Sequence, residues 1–480
     1  MGKVEVLAAL SDKAEKHEKR YRATSLFGKP NRDFEKYKAS DKARLILTTY
    51  GDLVRKNKAG DKFAYKDGVW EVLEHHDIEQ RVIQLFDHNE TGFSDTTINT
   101  VISTLTAIAQ PIGGEKDGII GFSNGVLDIN ENRLHHHSQE NFITSKFDVD
   151  WFEYDPAKKL CDVAPSFHKW LEHSSSGDDD LRQAILAGLY MILTKRHDWE
   201  LFLEVTGKGG TGKSTYANLA SLLSGNVTSS EMSMLDDPMQ RPYLVNANLI
   251  KLPDQPAYQG KGDGIKKITG GDEIAMNPKN KPQFTAIIKA VIMVTNNEPM
   301  RFTERNGGIA RRRVILPFNN VVPEQQRDPE LMDKLRCEIP SIINYLLAAF
   351  TEPTQAKDAL KKQAQSKGAL AVKRDSDALY GFAECFKPCE LRNGMGMGKA
   401  NDTQSIPRRF IYHAYLSYLD AKYHKPKGIL SVEALIKQLG QILKETVGEE
   451  GFELAKHRIA AGVKYNITLD EDKADWLPNK

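Results

Sequence analysis

Short apolar runs with polar ends fill the middle of the chain, whereas helical spacing of apolar positions dominates both flanks. Leu201 to Val205 is a mostly apolar run that predicts a buried strand. It leads through a glycine-rich turn into helical spacing from Ser214 to Leu223, which stops near Gly225. Two further runs follow. Leu249 to Leu252 leads into Asp254-Gln255, and Ala290 to Val294 leads into Thr295-Asn296-Asn297. Between them lie Ile268-Thr269-Gly270-Gly271-Asp272 and a loop, Asn277-Pro278-Lys279-Asn280-Lys281. Gly307-Gly308, Arg311-Arg312-Arg313 and Pro317-Phe318 close the segment, so residues 196–350 read as an α/β domain.

On the N-terminal side, residues 1–115 read as an α-rich domain interrupted by a hairpin, Lys62 to Leu73, around Asp67-Gly68. A connector over 116–195 carries a β-unit from Asp117 to Ile129 with Asn124-Gly125 as its turn. It also carries a helix from Asp178 to Thr194 with acids in its first turn. Thr351 to Lys367 is polar and helix-prone, which predicts a linker over 351–375. In 376–480, helices are expected at Asp375 to Phe386, Ile406 to Tyr423 and Ser431 to Val447, with a hairpin from His457 to Leu469. Three helices and a β-wing make a winged-helix pattern, whose third helix enters the major groove of duplex DNA. Lys437 and Lys444 lie on that helix as candidates for phosphate contact. Phe410, Tyr412, Tyr415 and Tyr418 stand among the basic residues of the preceding helix, and most of them are read as core.

Composition narrows the class. A chain of 480 residues is expected to hold about three or four domains. With 40% hydrophobic and 27% charged residues it reads as a soluble globular protein. Its apolar runs, such as Val291 to Val294, are too short to cross a bilayer, and Met1 to Leu10 has no signal-peptide pattern. Cys161, Cys337, Cys385 and Cys389 offer neither a zinc ribbon nor a disulfide framework, which suits a reducing cytoplasm. A net charge of +1 confines any nucleic-acid contact to local patches. Met1 to Arg44 carries 12 basic and seven acidic residues and reads as a solvated helical face. His135-His136-His137 lacks ligand spacing and reads as a surface turn.

Gly207-x-x-x-x-Gly212-Lys213-Ser214 has the spacing of a phosphate-cradling loop between strand and helix. Its glycines let backbone N–H groups approach phosphate oxygens. Lys213 reaches the β- and γ-phosphates of a nucleoside triphosphate, and the Ser214 hydroxyl holds Mg²⁺. In such an ATPase, a carboxylate at a neighbouring strand end holds the metal or its water, and an amide on the next strand orients the attacking water. An arginine distant in sequence stabilises the transition state, often across a subunit boundary. Plain alternatives stand beside these roles. Asp254 and Asn296 also suit turns, Arg311 to Arg313 an exposed edge, and Lys279 and Lys281 a solvated loop.

The order of these motifs resembles the superfamily 3 helicases, and more narrowly the helicase module of phage, plasmid and poxvirus primase-helicases. Asn124-Gly125-Val126-Leu127-Asp128 is similar to that group's NGxLD signature, and Leu335 to Leu347 resembles the helical segment closing its ATPase domain. The resemblance covers roughly residues 117–350. It implies an AAA+-like core in which Gly207, Gly209, Gly210, Thr211, Gly212, Lys213, Ser214 and Thr215 form Walker A. It further implies Asp254 as the Walker B acid, Asn296 as the sensor, and Arg311 or Arg312 as the arginine finger, Arg312 matching the second arginine of the family's pair. Lys279 and Lys281 fall in the family's DNA-contacting pore loop. One departure concerns turnover: Gln255 follows Asp254, and a neutral amide cannot act as general base. The implied protein is an ATP- and Mg²⁺-dependent replicative DNA helicase or initiator of a phage, plasmid or mobile element in the host cytoplasm. It would work as a hexameric ring moving 3′ to 5′ on single-stranded DNA, bind origin duplex, and rely on a separate primase. A nucleotide-switched DNA loader that does not unwind is the alternative, and the helicase half of a primase-helicase is a third.

Overall fold

In the computed structural model, the described residues are 26–155, 157–255, 259–279, 282–302, 308–376, 378–399, 405–423, 429–446, 452–459 and 462–477. The first 25 residues of the basic N-terminal segment, and Lys281 of the lysine-bearing loop, lie outside them. Two compact units divide the chain, one running to Glu153 and including the short segment that ends at Ala286, the other starting at Tyr154.

In the first unit, apolar positions at helical spacing bring together the helices Ala39–Thr48, His75–His88 and Asp95–Ile108. Ile46, Ile78, Val82, Leu85, Phe86, Val101 and Leu105 are buried in their shared core. The hairpin around Asp67-Gly68 forms with Lys62–Lys66 paired to Val69–Leu73, and both turn residues adopt positive φ, 48° and 92°. The second β-unit also forms. Ile119–Phe122 pairs with Gly125–Asp128, and Asp128 accepts the Asn130 N–H at 3.0 Å.

The second unit is built on five strands: β1 (Phe202–Thr206), β2 (Val227–Ser229), β3 (Leu249–Pro253), β4 (Val291–Asn296) and β5 (Arg313–Pro317). Their spatial order is β2-β3-β4-β1-β5, and every pairing is parallel. Such strands are covered on both faces and therefore read as near-continuous apolar runs. Register aligns Thr206 with Asn296 and with Pro317, and Pro253 with Thr295. The carboxyl ends of four strands thus form one edge, where parallel sheets place their sites.

Helices α1 (Pro165–Ser175), α2 (Asp179–Leu193), α3 (Lys213–Leu222), α4 (Asp263–Thr269), α5 (Leu331–Ala349) and α6 (Pro353–Ala364) belong to the same unit. Asp178 caps α2, its carboxylate accepting the Asp180 and Leu181 N–H groups at 2.9 and 3.0 Å. The expected linker needs correction, because α6 is packed rather than free. Ala356, Leu360 and Gln363 are buried along one face, and Gln363 donates to the Ile315 carbonyl at 2.8 Å.

Glu204 is the one acid in the β1 run and is fully buried. Arg313 binds it through two contacts, 2.6 and 3.0 Å, while Met300 gives its N–H to Glu204 at 2.8 Å and accepts from Arg313 at 3.0 Å. One ion pair therefore joins two strands and the segment after β4. Glu204→Ala leaves the arginine charged and unpaired, at a cost of about 3–5 kcal/mol. The expected result is a clear fall in the urea midpoint, largely recovered in the double Glu204→Met, Arg313→Met variant. An unchanged midpoint in the single variant would contradict this role.

Residues 378–477 form α7 (Ala378–Ala383), β6 (Phe386–Pro388), α8 (Ile411–Tyr423), α9 (Val432–Thr446), β7 (Lys456–Ile459), β8 (Gly462–Tyr465) and β9 (Ile467–Leu469). The first expected helix is shorter than its pattern, because Phe386 enters β6 and pairs antiparallel with Leu469 of β9. The expected closing hairpin is therefore β7 and β8 alone. Tyr412, Tyr415 and Tyr418 are buried with Phe382, Leu435, Leu439 and Ile467.

Candidate functional site

The glycine loop joins β1 to α3 at the carboxyl edge of the sheet. Gly207, Gly210 and Gly212 have φ of 146°, 80° and 93°, conformations that side chains other than glycine seldom adopt. Gly207 also lies against the Phe318 carbonyl, which any side chain there would strike. Lys213, only 9% exposed, folds back into the loop and donates to the Gly207 and Lys208 carbonyls at 2.6 and 2.8 Å. Burial holds its pKa below the usual lysine range, and the nearby Asp254 charge opposes that shift. An ammonium parked on its own loop carbonyls has the donors a phosphate chain would take over. Ser214 is exposed at the start of α3, and Thr215 follows it, half-buried.

Asp254, exposed just past β3, adopts φ 43° and donates its N–H to Thr295 of β4 at 2.8 Å. Asn296 is buried and accepts the Gln255 N–H on its side-chain oxygen at 2.8 Å. Its amide nitrogen has no hydrogen-bond partner among the described residues. Gln255 is tied at both ends of its side chain, accepting from Met232 N–H and donating to the Pro253 carbonyl, each at 2.9 Å. It therefore braces the loop after β3, with one amide N–H still unassigned. Asp254 and Asn296 stand at two neighbouring strand ends, and Lys213 at the end of the loop that follows the third, β1. Together with the Ser214 hydroxyl they fit a triphosphate and an oxygen-liganded Mg²⁺.

The arginines lie elsewhere. Arg313 pairs with Phe202 at the start of β1, so Arg311 and Arg312 sit at the amino edge of the sheet. That edge is about 16 Å from the glycine loop, at the usual rise per strand residue. The fold does not bring them to their own chain's loop. Arg312 is buried, donating to Glu200 at 3.0 Å and to the Gly308 carbonyl at 2.9 Å. Arg311 projects, its side chain 67% exposed and 3.9 Å from Glu200.

Lys279 is exposed beyond the strand Ile274–Met276. Lys437 and Lys444 are both exposed on α9, and Lys444 is paired with Glu453 at 2.7 Å. That hydrogen bond holds the Glu453 carboxyl below its ordinary range. On β7, Lys456 and Arg458 are exposed on one face of the strand. Two features had no signal in the residue pattern. One is Arg327, in a stretch, Glu324 to Glu330, that reads only as a polar loop. The other is His173 of α1, whose Nε2–H donates to the Asn320 carbonyl at 3.1 Å and whose own carbonyl accepts from the Asn320 amide at 3.2 Å, beside the glycine loop.

Three family models match the chain: D5 N terminal like over residues 43–175, a family of unknown function (DUF5906) over 205–313, and Poxvirus D5 protein-like over 374–478. The uncharacterized mitochondrial protein ymf21 of Marchantia polymorpha is 27% identical over 124 residues, covering 25% of this chain and 69% of that protein. The phage P4 origin-binding domain is 31% identical, covering 22% of this chain and 100% of that one, with a TM-score of 0.20. The NrS-1 C-terminal region (305–718) is 13% identical, covering 89% of this chain and 98% of that one, with a TM-score of 0.48.

Proposed function

From the premise that the chain is a relative of the D5-type primase-helicases, we propose that it is an ATP-driven replicative DNA helicase or replication initiator. The observation that carries this reading is the Lys213 ammonium held inside the glycine loop, with Asp254 and Asn296 on adjacent strand ends beside it. Loop N–H groups and Lys213 bind the phosphate chain of ATP. Ser214 and Asp254 hold Mg²⁺, which neutralises phosphate charge when bound. The free amide donor of Asn296 positions the γ-phosphate or its water. Gln255 is a neutral amide and cannot take a proton, so activation of the attacking water falls to Asp254. Arg311 completes the site of a neighbouring subunit, which makes the working form a homo-oligomer; a hexamer moving 3′ to 5′ follows from the family resemblance.

The arrangement of α7, α8, α9 and the β7–β8 hairpin supports a winged-helix reader of origin duplex. Lys437 and Lys444 on the third helix and Lys456 and Arg458 on the wing face duplex phosphates, Lys444 exchanging Glu453 for a phosphate. Lys279 and Lys281 grip single-stranded DNA in the ring. A separate primase supplies primers, and the setting is the host cytoplasm of a phage, plasmid or mobile element. Among the described residues no helix is long and apolar enough to cross a membrane. The second reading, a nucleotide-switched loader that does not unwind, draws on Gln255, a neutral amide that follows Asp254 and cannot act as general base.

Strand displacement under ATP separates the two readings. The full-length Lys279→Ala, Lys281→Ala variant is expected to stop unwinding and spare duplex binding. Its single-strand salt slope should fall by roughly 0.7 per lost phosphate contact. Lys437→Ala, Lys456→Ala and Arg458→Ala together are expected to weaken duplex binding and spare the ATPase. ATP hydrolysis by the wild-type protein without strand displacement would favour the loader; unwinding by the lysine-loop variant would remove the pore assignment.

A further inference from the structure

The chain between β5 and α5 lies along the glycine loop as a strap. Phe318 donates its N–H to Thr206 at 2.7 Å, and Val322 donates to the Gly210 carbonyl at 2.9 Å. Between these two points Asn320 is pinned to α1, donating its amide to the His173 carbonyl at 3.2 Å. The strap then turns through Glu324–Gln326, where Arg327 donates its N–H to Glu324 at 3.2 Å, before α5 begins.

This course delivers the Arg327 guanidinium to the middle of the loop. A methyl group on Gly210 would lie 2.9 Å from one of its terminal nitrogens. Arg327 is exposed, and its side chain has neither a carboxylate nor a hydrogen-bond partner among the described residues. The adjacent acid is engaged elsewhere: Asp328 accepts from Lys334 at 2.7 Å and from the Glu330 N–H at 3.0 Å. A cation delivered by a pinned strap, beside a loop built for anions and without an anion of its own among the described residues, has the chemistry of a phosphate ligand.

We propose that Arg327 is a nucleotide-binding residue of its own subunit, its guanidinium contacting the phosphate chain of the triphosphate in the glycine loop. This rests on the reading of that loop as a triphosphate site. Each subunit then supplies one arginine to its own nucleotide, Arg327, and one to its neighbour's, Arg311. The two come from opposite edges of the sheet.

Titration of the full-length protein with a fluorescent ATP analogue tests the proposal. Arg327→Ala is expected to weaken binding about tenfold or more, the scale of a lost charge-assisted contact. Arg327→Lys is expected to regain part of the loss and Arg327→Gln none, because the contact is ionic. Lys213→Ala is the reference variant. If it loses binding while Arg327→Ala binds like wild type, the Arg327 assignment is wrong and the loop reading stands. If Arg327→Gln binds as well as Arg327→Lys, the residue serves only to hold the strap, and the proposal is overturned. If Lys213→Ala itself binds ATP like wild type, the loop reading fails first.

Discussion

Replacing Lys213 by alanine is expected to lower ATP hydrolysis by roughly 10²–10³-fold or more, the scale on which one positioned donor acts at a developing charge. The fold should survive. Lys213 is buried in the loop rather than in the apolar core: its ammonium is bonded to two loop carbonyls, and its pKa is lowered by burial. Removing a partly desolvated charge therefore takes away a cost as well as two hydrogen bonds. The carbonyls of Gly207 and Lys208 lie on a loop that water can reach once the side chain is gone. Phosphate release and a thermal melt, measured on the same preparation, check both halves of the prediction. Normal turnover in a protein that melts like wild type would remove the ATPase reading altogether.

Much of this site was legible because its chemistry is local in sequence. The glycine spacing, the lysine after it, and the polar ends of the apolar runs Leu249 to Leu252 and Ala290 to Val294 each occupy a few consecutive residues. Parallel pairing then brings those ends to one edge. Contacts between distant segments were not legible. Arg327 reaches Gly210 only because a strap is pinned at Thr206, His173 and Gly210, and no spacing records that course. Glu204 is a different case. An acid inside the run Phe202 to Val205 demands a buried partner, and Arg313 was available in the sequence, but only register shows that the two strands are neighbours. The expected linker failed for a related reason. Its overall polarity outweighed a narrow stripe, Ala356, Leu360 and Gln363, which recurs at helical spacing and is buried. The short strand Phe386–Pro388 was hidden at the end of a helical pattern, since three residues carry no periodicity of their own.

Arg311→Ala is expected to lower kcat by roughly 10³–10⁵-fold while changing ATP affinity little, as befits a residue that meets only the transition state of the adjoining subunit. The three consecutive arginines divide the labour. Arg313 is consumed by Glu204, and Arg312 by Glu200 and the Gly308 carbonyl, which leaves Arg311 as the one with an exposed side chain. Its place at the amino edge, away from its own glycine loop, makes action within one subunit geometrically unsuitable. Complementation follows from that geometry. Lys213→Ala subunits retain Arg311, and Arg311→Ala subunits retain Lys213, so each carries the half that the other lacks. In an equal mixture that assembles at random, about a quarter of the interfaces join an intact loop to an intact arginine. Two inactive proteins should therefore regain measurable ATPase activity on mixing. Arg312→Ala serves as the contrast, because its loss frees Glu200 and loosens the turn before β5, with a fall in stability as the first effect. If Arg312→Ala complements Lys213→Ala while Arg311→Ala turns over normally, the two arginines exchange roles. If the Arg311→Ala mixture stays as inactive as its parts across several ratios, no arginine of this turn acts between subunits.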